Sequence, residues 1–104
     1  MSAVQTLRCG SALLEWQVFR PKAVRPGAVP LLLIHGFACG KDDWGALPKL
    51  VATKSRREVI SFDNRGIGLG APEGPYTVGE LAADARAVAE AAGSPLVDVL
   101  GISL

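Results

Sequence analysis

The sequence has no uninterrupted apolar run longer than Leu31 to Ile34, far short of the roughly 20 residues that span a bilayer as a helix. It also lacks the apolar core of a secretory leader, because polar residues break every short window of Met1 to Gln17. A marked excess of one sign of charge is missing as well. Eleven basic residues face 10 acidic ones, a net of +1, too little to hold nucleic acid or an anionic membrane surface. Only two cysteines are present, Cys9 and Cys39, in no metal or redox spacing, so free thiols in a reducing compartment are expected. No motif implies a cofactor or a metal. These absences leave a soluble, cytoplasmic protein as the expectation. What is present suffices for a core, since 49% of the residues are hydrophobic and 20% charged. At 104 residues the chain has room for one small domain and not for two, and it contains no repeat or long linker.

Hydrophobic patterning gives the order of elements. Residues 1 to 20 read as a hairpin turning at Cys9-Gly10-Ser11, with Leu13 to Phe19 as its second strand. Three prolines and a glycine make Pro21 to Pro30 a loop. Leu31 to Ile34 is the continuous apolar pattern of a strand covered on both faces. A helix is expected over Asp43 to Thr53, with Trp44, Leu47, Leu50 and Val51 on one face. Val59 to Phe62 is a second buried strand, and Asp63 to Pro75 a glycine- and proline-rich loop. Thr77 and Glu80 form a capping-box pattern at the start of a helix running to Ala92. Its apolar stripe is Val78, Leu81, Ala82, Ala85, Val88, Ala89 and Ala92, and Gly93 and Pro95 end it. A last strand, Leu96 to Leu100, leads into Gly101-Ile102-Ser103-Leu104. Strands alternating with helices call for an α/β protein with a mostly parallel sheet, right-handed crossovers and functional loops at the strands' carboxyl ends.

Three such loops carry distinctive runs: His35-Gly36-Phe37-Ala38-Cys39-Gly40, Asp63-Asn64-Arg65-Gly66-Ile67-Gly68, and Gly101-Ile102-Ser103-Leu104. In this order they resemble the α/β-hydrolase superfamily, which carries His-Gly, Asp-x-Arg-Gly-x-Gly and Gly-x-Ser-x-Gly after successive strands. Each run alone is weak, and together they span nearly the whole chain. The resemblance implies a partial α/β-hydrolase fold over residues 1–104, the N-terminal half of one domain with no cap domain. It makes Ser103 the nucleophile, lifted on a sharp strand-to-helix turn with Gly101 relieving the crowding. The backbone N–H groups of Phe37 and Leu104 become the oxyanion hole. Without the other two runs, Ser103 would read as an ordinary turn serine, and Gly36 and Gly40 as turn glycines.

The lone histidine, His35, invites assignment as the general base. The family's catalytic histidine follows the acid, which follows the serine, so the resemblance gives His35 and Gly36 a structural role beside the site. Neither the triad acid nor its base is expected within the 104 residues. Gly66-Ile67-Gly68-Leu69-Gly70-Ala71 matches the dinucleotide pattern G-x-G-x-x-G/A, yet Pro72, Gly74 and Pro75 separate it from the next helix. A nucleotide site needs the helix N-terminus directly at the glycines, so this reading is rejected. Asp63 and Arg65 are expected to pair with each other or with backbone. Gly70 and Ala71 depart from family members that often have a serine there. Asp98 is expected near the strand's amino end, away from the site, and Trp16 and Trp44 in packing roles.

The resemblance therefore implies acyl transfer from a small ester, lactone, thioester or amide through Ser103, without a cofactor. The serine argues against a dehalogenase, whose relatives place aspartate there. The alternative is a non-catalytic chain that associates with another protein, or with itself, through the apolar edge of its last strand.

Overall fold

The computed structural model describes residues 3–36, 39–67 and 76–102. Gln5–Cys9 (β1) and Ala12–Phe19 (β2) form the hairpin, turning tightly through Gly10 and Ser11, where Gly10 takes a φ of 60° that suits glycine. Leu31–Ile34 (β3), Val59–Phe62 (β4) and Asp98–Gly101 (β5) complete a five-stranded sheet in the order β1-β2-β4-β3-β5. β2 runs antiparallel to both β1 and β4, whereas β4, β3 and β5 are mutually parallel.

Alternation along β2 assigns its two faces. Ala12, Leu14, Trp16 and Val18 are buried and the residues between them half-buried. With Leu32, Ile60 and Phe62 they pack against Ala85 and Val88 of Val78–Ala91 (α2). On the opposite face, Leu33 and Val59 meet Ala52 of Leu47–Ser55 (α1), with Trp44 and Val51 beside them. β3 and β4 are thus covered on both sides, the reason β3 reads as an unbroken apolar run and β4 as one broken only by the buried Ser61. The result is an α/β/α arrangement with crossovers connecting parallel strands.

Two expectations are corrected here. In place of one helix over Asp43 to Thr53, a short 3-10 helix, Lys41–Trp44, precedes α1. Gly45 breaks the run with a φ of 59°, and Pro48, which has no N–H to donate, occupies the first turn of α1. The break turns the expected apolar stripe: Leu47 and Leu50 are exposed, and Pro48 and Ala52 are the buried residues of α1. The last strand begins at Asp98 rather than Leu96, and all of its residues are exposed, because β5 is an edge among the described residues and neither helix covers it. Asp98 stands at its amino end, paired at 2.5 Å with Arg57. Among the described residues no helix is long and apolar enough to cross a membrane.

The α2 capping box forms as the sequence specifies. The Thr77 hydroxyl accepts from the Glu80 amide at 3.0 Å, and the Glu80 carboxylate accepts from the Thr77 amide at 3.0 Å. That backbone bond, joined by the one to the Thr77 hydroxyl, holds the Glu80 carboxyl below the usual carboxylate range. Its contribution to stability is present above the pKa of the unfolded chain and lost as pH falls through the depressed folded value. Thr77→Ala removes the hydroxyl acceptor and is expected to cost about 1 kcal/mol, read as a lower urea midpoint with unchanged slope.

Candidate active site

The parallel register around β3 decides what lies together. Leu31 faces both Val59 and Asp98, and the pairing continues to Ile34 opposite Gly101. The Ile102 amide extends the ladder by donating to the Ile34 carbonyl at 3.1 Å. Loops beginning at His35, Asp63 and Ile102 therefore leave the same edge of the sheet, from three adjacent strands. This is the carboxyl edge, where open α/β sheets place their chemistry. Of the residues singled out by the sequence, His35, Gly36 and Gly101 stand at this edge, whereas Phe37, Ser103 and Leu104 lie outside the described residues. Gly68 to Pro75, and with them most of the rejected dinucleotide pattern, lie outside them too.

The first two loops are stitched to each other by backbone-directed side chains. Asn64, buried, donates from Nδ2 to the His35 carbonyl at 3.1 Å. Asp63, also buried, accepts the Lys41 amide on Oδ1 at 2.5 Å. Gly40 makes that approach possible, since a Cβ there would lie 3.0 Å from the same carboxylate oxygen. Lys41 folds its own chain inward, with Nζ 3.4 Å from Glu15 of β2 and from Asp42. Burial works against this ammonium, but Asp63 first, then Asp42 and Glu15, more than offset it and leave its pKa above the ordinary value. The His35 ring lies against Trp44, centroids 4.3 Å apart, and its Nδ1 accepts the Gly36 amide at 2.8 Å.

Arg65 and Asp63 do not pair with each other. Asp63 takes the backbone partner just described, and Arg65 turns toward α2. Its guanidinium grips Asp84 at 2.6 and 2.9 Å, reaches Glu80 at 3.1 Å and donates to the Cys9 carbonyl at 3.3 Å. The bidentate fork raises the Arg65 pKa further and neutralises a carboxylate whose side chain is 3% exposed. Gly66 follows with a φ of 92°, and a Cβ there would strike the Tyr76 ring at 2.6 Å, so the glycine after Arg65 is required. Asn64, Lys41 and Asp84 were not singled out from the sequence. Asn64 fills the variable position of Asp-x-Arg-Gly, a lysine ordinarily reads as surface, and Asp84 interrupts an apolar helix stripe without a visible partner.

A match to the alpha/beta hydrolase family covers residues 31–104, and the chain belongs to that family. Solved structures agree. The chain is similar to proline iminopeptidase from Mycobacterium smegmatis, with 28% identity and a TM-score of 0.83, covering 95% of this chain and 35% of that one. It is also similar to an alpha/beta hydrolase fold protein from Chitinophaga pinensis, with 28% identity and a TM-score of 0.74, over 99% of this chain and 36% of that one. An epoxide hydrolase from an endophytic Streptomyces shares the fold at 20% identity and a TM-score of 0.76, over 98% of this chain and 30% of that one. The chain thus spans about a third of the length of each of these structures.

Desolvation holds the Asp63 carboxyl above the usual carboxylate range, against the pull of the Lys41 amide and ammonium. Ionising it costs more in the folded chain than in the unfolded one, so its contribution is largest below the unfolded pKa and is lost as pH rises through the raised value. Asp63→Asn keeps an acceptor for the Lys41 amide without the charge. It is expected to stay within about 1 kcal/mol of the parent and to remove this part of the pH dependence. Asp63→Ala leaves that amide without its acceptor, an expected loss of about 1–3 kcal/mol in denaturant melts.

Proposed function

We propose that the protein works as a serine-nucleophile acyl hydrolase on small esters, lactones, thioesters or amides, with Ser103 as the attacking group. The observation that carries this reading is the common exit of the His35-Gly36 loop and the Gly101-Ile102 segment from neighbouring parallel strands, Ile34 opposite Gly101. Membership of a hydrolase family supports it. In this scheme the Ser103 hydroxyl adds to the substrate carbonyl as a base takes its proton. The backbone N–H groups of Phe37 and Leu104 hold the negative charge on the tetrahedral oxygen, each contributing about 2.7–4 kcal/mol to the transition state. Collapse expels the alcohol, thiol or amine and leaves an acyl-serine, which water hydrolyses to free acid and Ser103. His35 is already committed through Nδ1 to the Gly36 amide, and it precedes the serine. The base and its acid partner follow the serine in the family's chain order, so this reading places both outside the 104 residues. A reducing compartment such as the cytoplasm suits the two free thiols. A fluorophosphonate probe is expected to label the serine in protein that carries the complete triad, and Ser103→Ala to abolish the label. Equal labelling of the variant removes Ser103 from the mechanism.

A second reading, association through β5, draws on the exposure of that strand. Within β5 Val99 is 57% exposed and Leu100 44%, and Leu96 and Ile102 flank the strand, also exposed, along an edge whose outer backbone groups face away from β3. Such an edge is a template for another strand, and a second copy of the chain supplies an identical one. Sedimentation of the 104-residue chain is expected to show dimers or larger species, shifted toward monomer by Val99→Lys. A monodisperse monomer that melts cooperatively contradicts this reading.

A further inference from the structure

Beside the first loop, three side chains of different chemistry converge. One ligating atom each from His35, Cys39 and Asp43 lies within 4.8 Å of the others. The turn that gathers them is closed by the Cys39 amide donating to the Gly36 carbonyl at 3.2 Å, which folds Cys39 back toward His35. Asp43 is fixed by the reciprocal contacts of the 3-10 helix. Its amide donates to the Gly40 carbonyl at 3.0 Å, and its Oδ2 accepts the Gly40 amide at 2.7 Å. The other carboxylate oxygen is left for a further partner. His35 offers a second, independent sign. Its Nδ1 is taken by Gly36, while Nε2 is buried and has no hydrogen-bond partner among the described residues. A ring that places a ligating atom near a thiol and a carboxylate, and whose buried Nε2 has no partner among the described residues, is a group short of a ligand.

We propose that His35, Cys39 and Asp43 form a binding site for a divalent transition metal of the zinc type. The donor set decides the class. Imidazole and thiolate favour zinc, cobalt or a related ion, whereas calcium and magnesium take oxygen ligands. Bond lengths of roughly 2.0–2.3 Å put tetrahedral donors roughly 3.3–3.8 Å apart, so the three groups draw together by at most roughly 1.5 Å. Three protein ligands leave the fourth position to water, and the exposed Asp43 gives the ion a path from solvent. Coordination takes the thiolate of Cys39, releasing the thiol proton to solvent. At His35 the ion takes the Nε2 lone pair, the ring proton moves to Nδ1, and the Gly36 amide gives up its acceptor there. The site stands whether or not Ser103 reacts, because none of its ligands is assigned to the acyl chemistry.

Cobalt chloride titrated into the purified, reduced protein tests the site directly. A thiolate-to-cobalt absorption band is expected to saturate at a single equivalent and to be displaced by zinc. Cys39→Ser is expected to abolish the band with the metal-free circular dichroism unchanged, and Cys9→Ser to keep it. Asp43→Asn, a surface change, is expected to weaken binding about tenfold or more, since loss of even an outer-shell partner costs that much. Absence of a thiolate band, its persistence in Cys39→Ser, its dependence on Cys9, or parental affinity in Asp43→Asn would each overturn the proposal.

Discussion

Everything at the carboxyl edge of the sheet depends on β3 lying between two parallel neighbours in matched register. The ladder with β4 pairs Leu31, Leu32 and Leu33 with Val59, Ile60 and Ser61, and the ladder with β5 carries on to Ile34 and Gly101. A slip of one residue on either side would exchange the two faces of a strand, bringing Leu33 to the α2 side and Leu32 to the α1 side. Burial on both faces therefore fixes the heights at which the three loops begin. Asp63 and Asn64 then hold the first loop to the second, each spending a buried polar group on a backbone partner, a bond that leaves no room for drift.

The Arg65 fork extends this order away from the sheet. One guanidinium joins the loop after β4, two acidic residues one turn apart on α2, and the hairpin at the Cys9 carbonyl. Because Asp84 is buried, the fork is a condition for packing α2 rather than an ornament of the surface. The family pattern Asp-x-Arg-Gly thus divides its labour. The aspartate and the variable residue face the first loop, the arginine faces the helix, and the glycine clears space for Tyr76.

Much of this was legible from residues alone. The apolar run Leu31 to Ile34 and the largely apolar Val59 to Phe62 called for cover on both faces and received it, and Thr77 with Glu80 marked the start of α2 to the residue. The helix after β3 was misread because its spacing of apolar residues continues across Gly45, whereas the backbone turns there and resets the helix phase. The exposure of β5 could not be read from its composition, which matches that of a covered strand; only the neighbours present decide it. At the site, His35 and Gly36 were visible as a motif. Asn64, Lys41 and Asp84 were not, since a polar residue becomes structural only when tertiary contact supplies its partner. The convergence of His35, Cys39 and Asp43 was hidden for a related reason. Cysteine spacing was weighed against the other cysteine, and the turn brings Cys39 to a histidine instead.

The sheet order also has a consequence for how the chain acquires its shape. β2 pairs with β4 rather than with β3, so the second strand of the hairpin has no inner neighbour until residues 59–62 have been made. On a ribosome the hairpin emerges ahead of β3, its apolar face open, and β3 follows without either of the strands that will flank it. Non-local pairing of this kind is slow, because the intervening loop must close before any ladder bond repays it. Until Val59 to Phe62 have been made, the inner edge of β2 is therefore open to wrong partners.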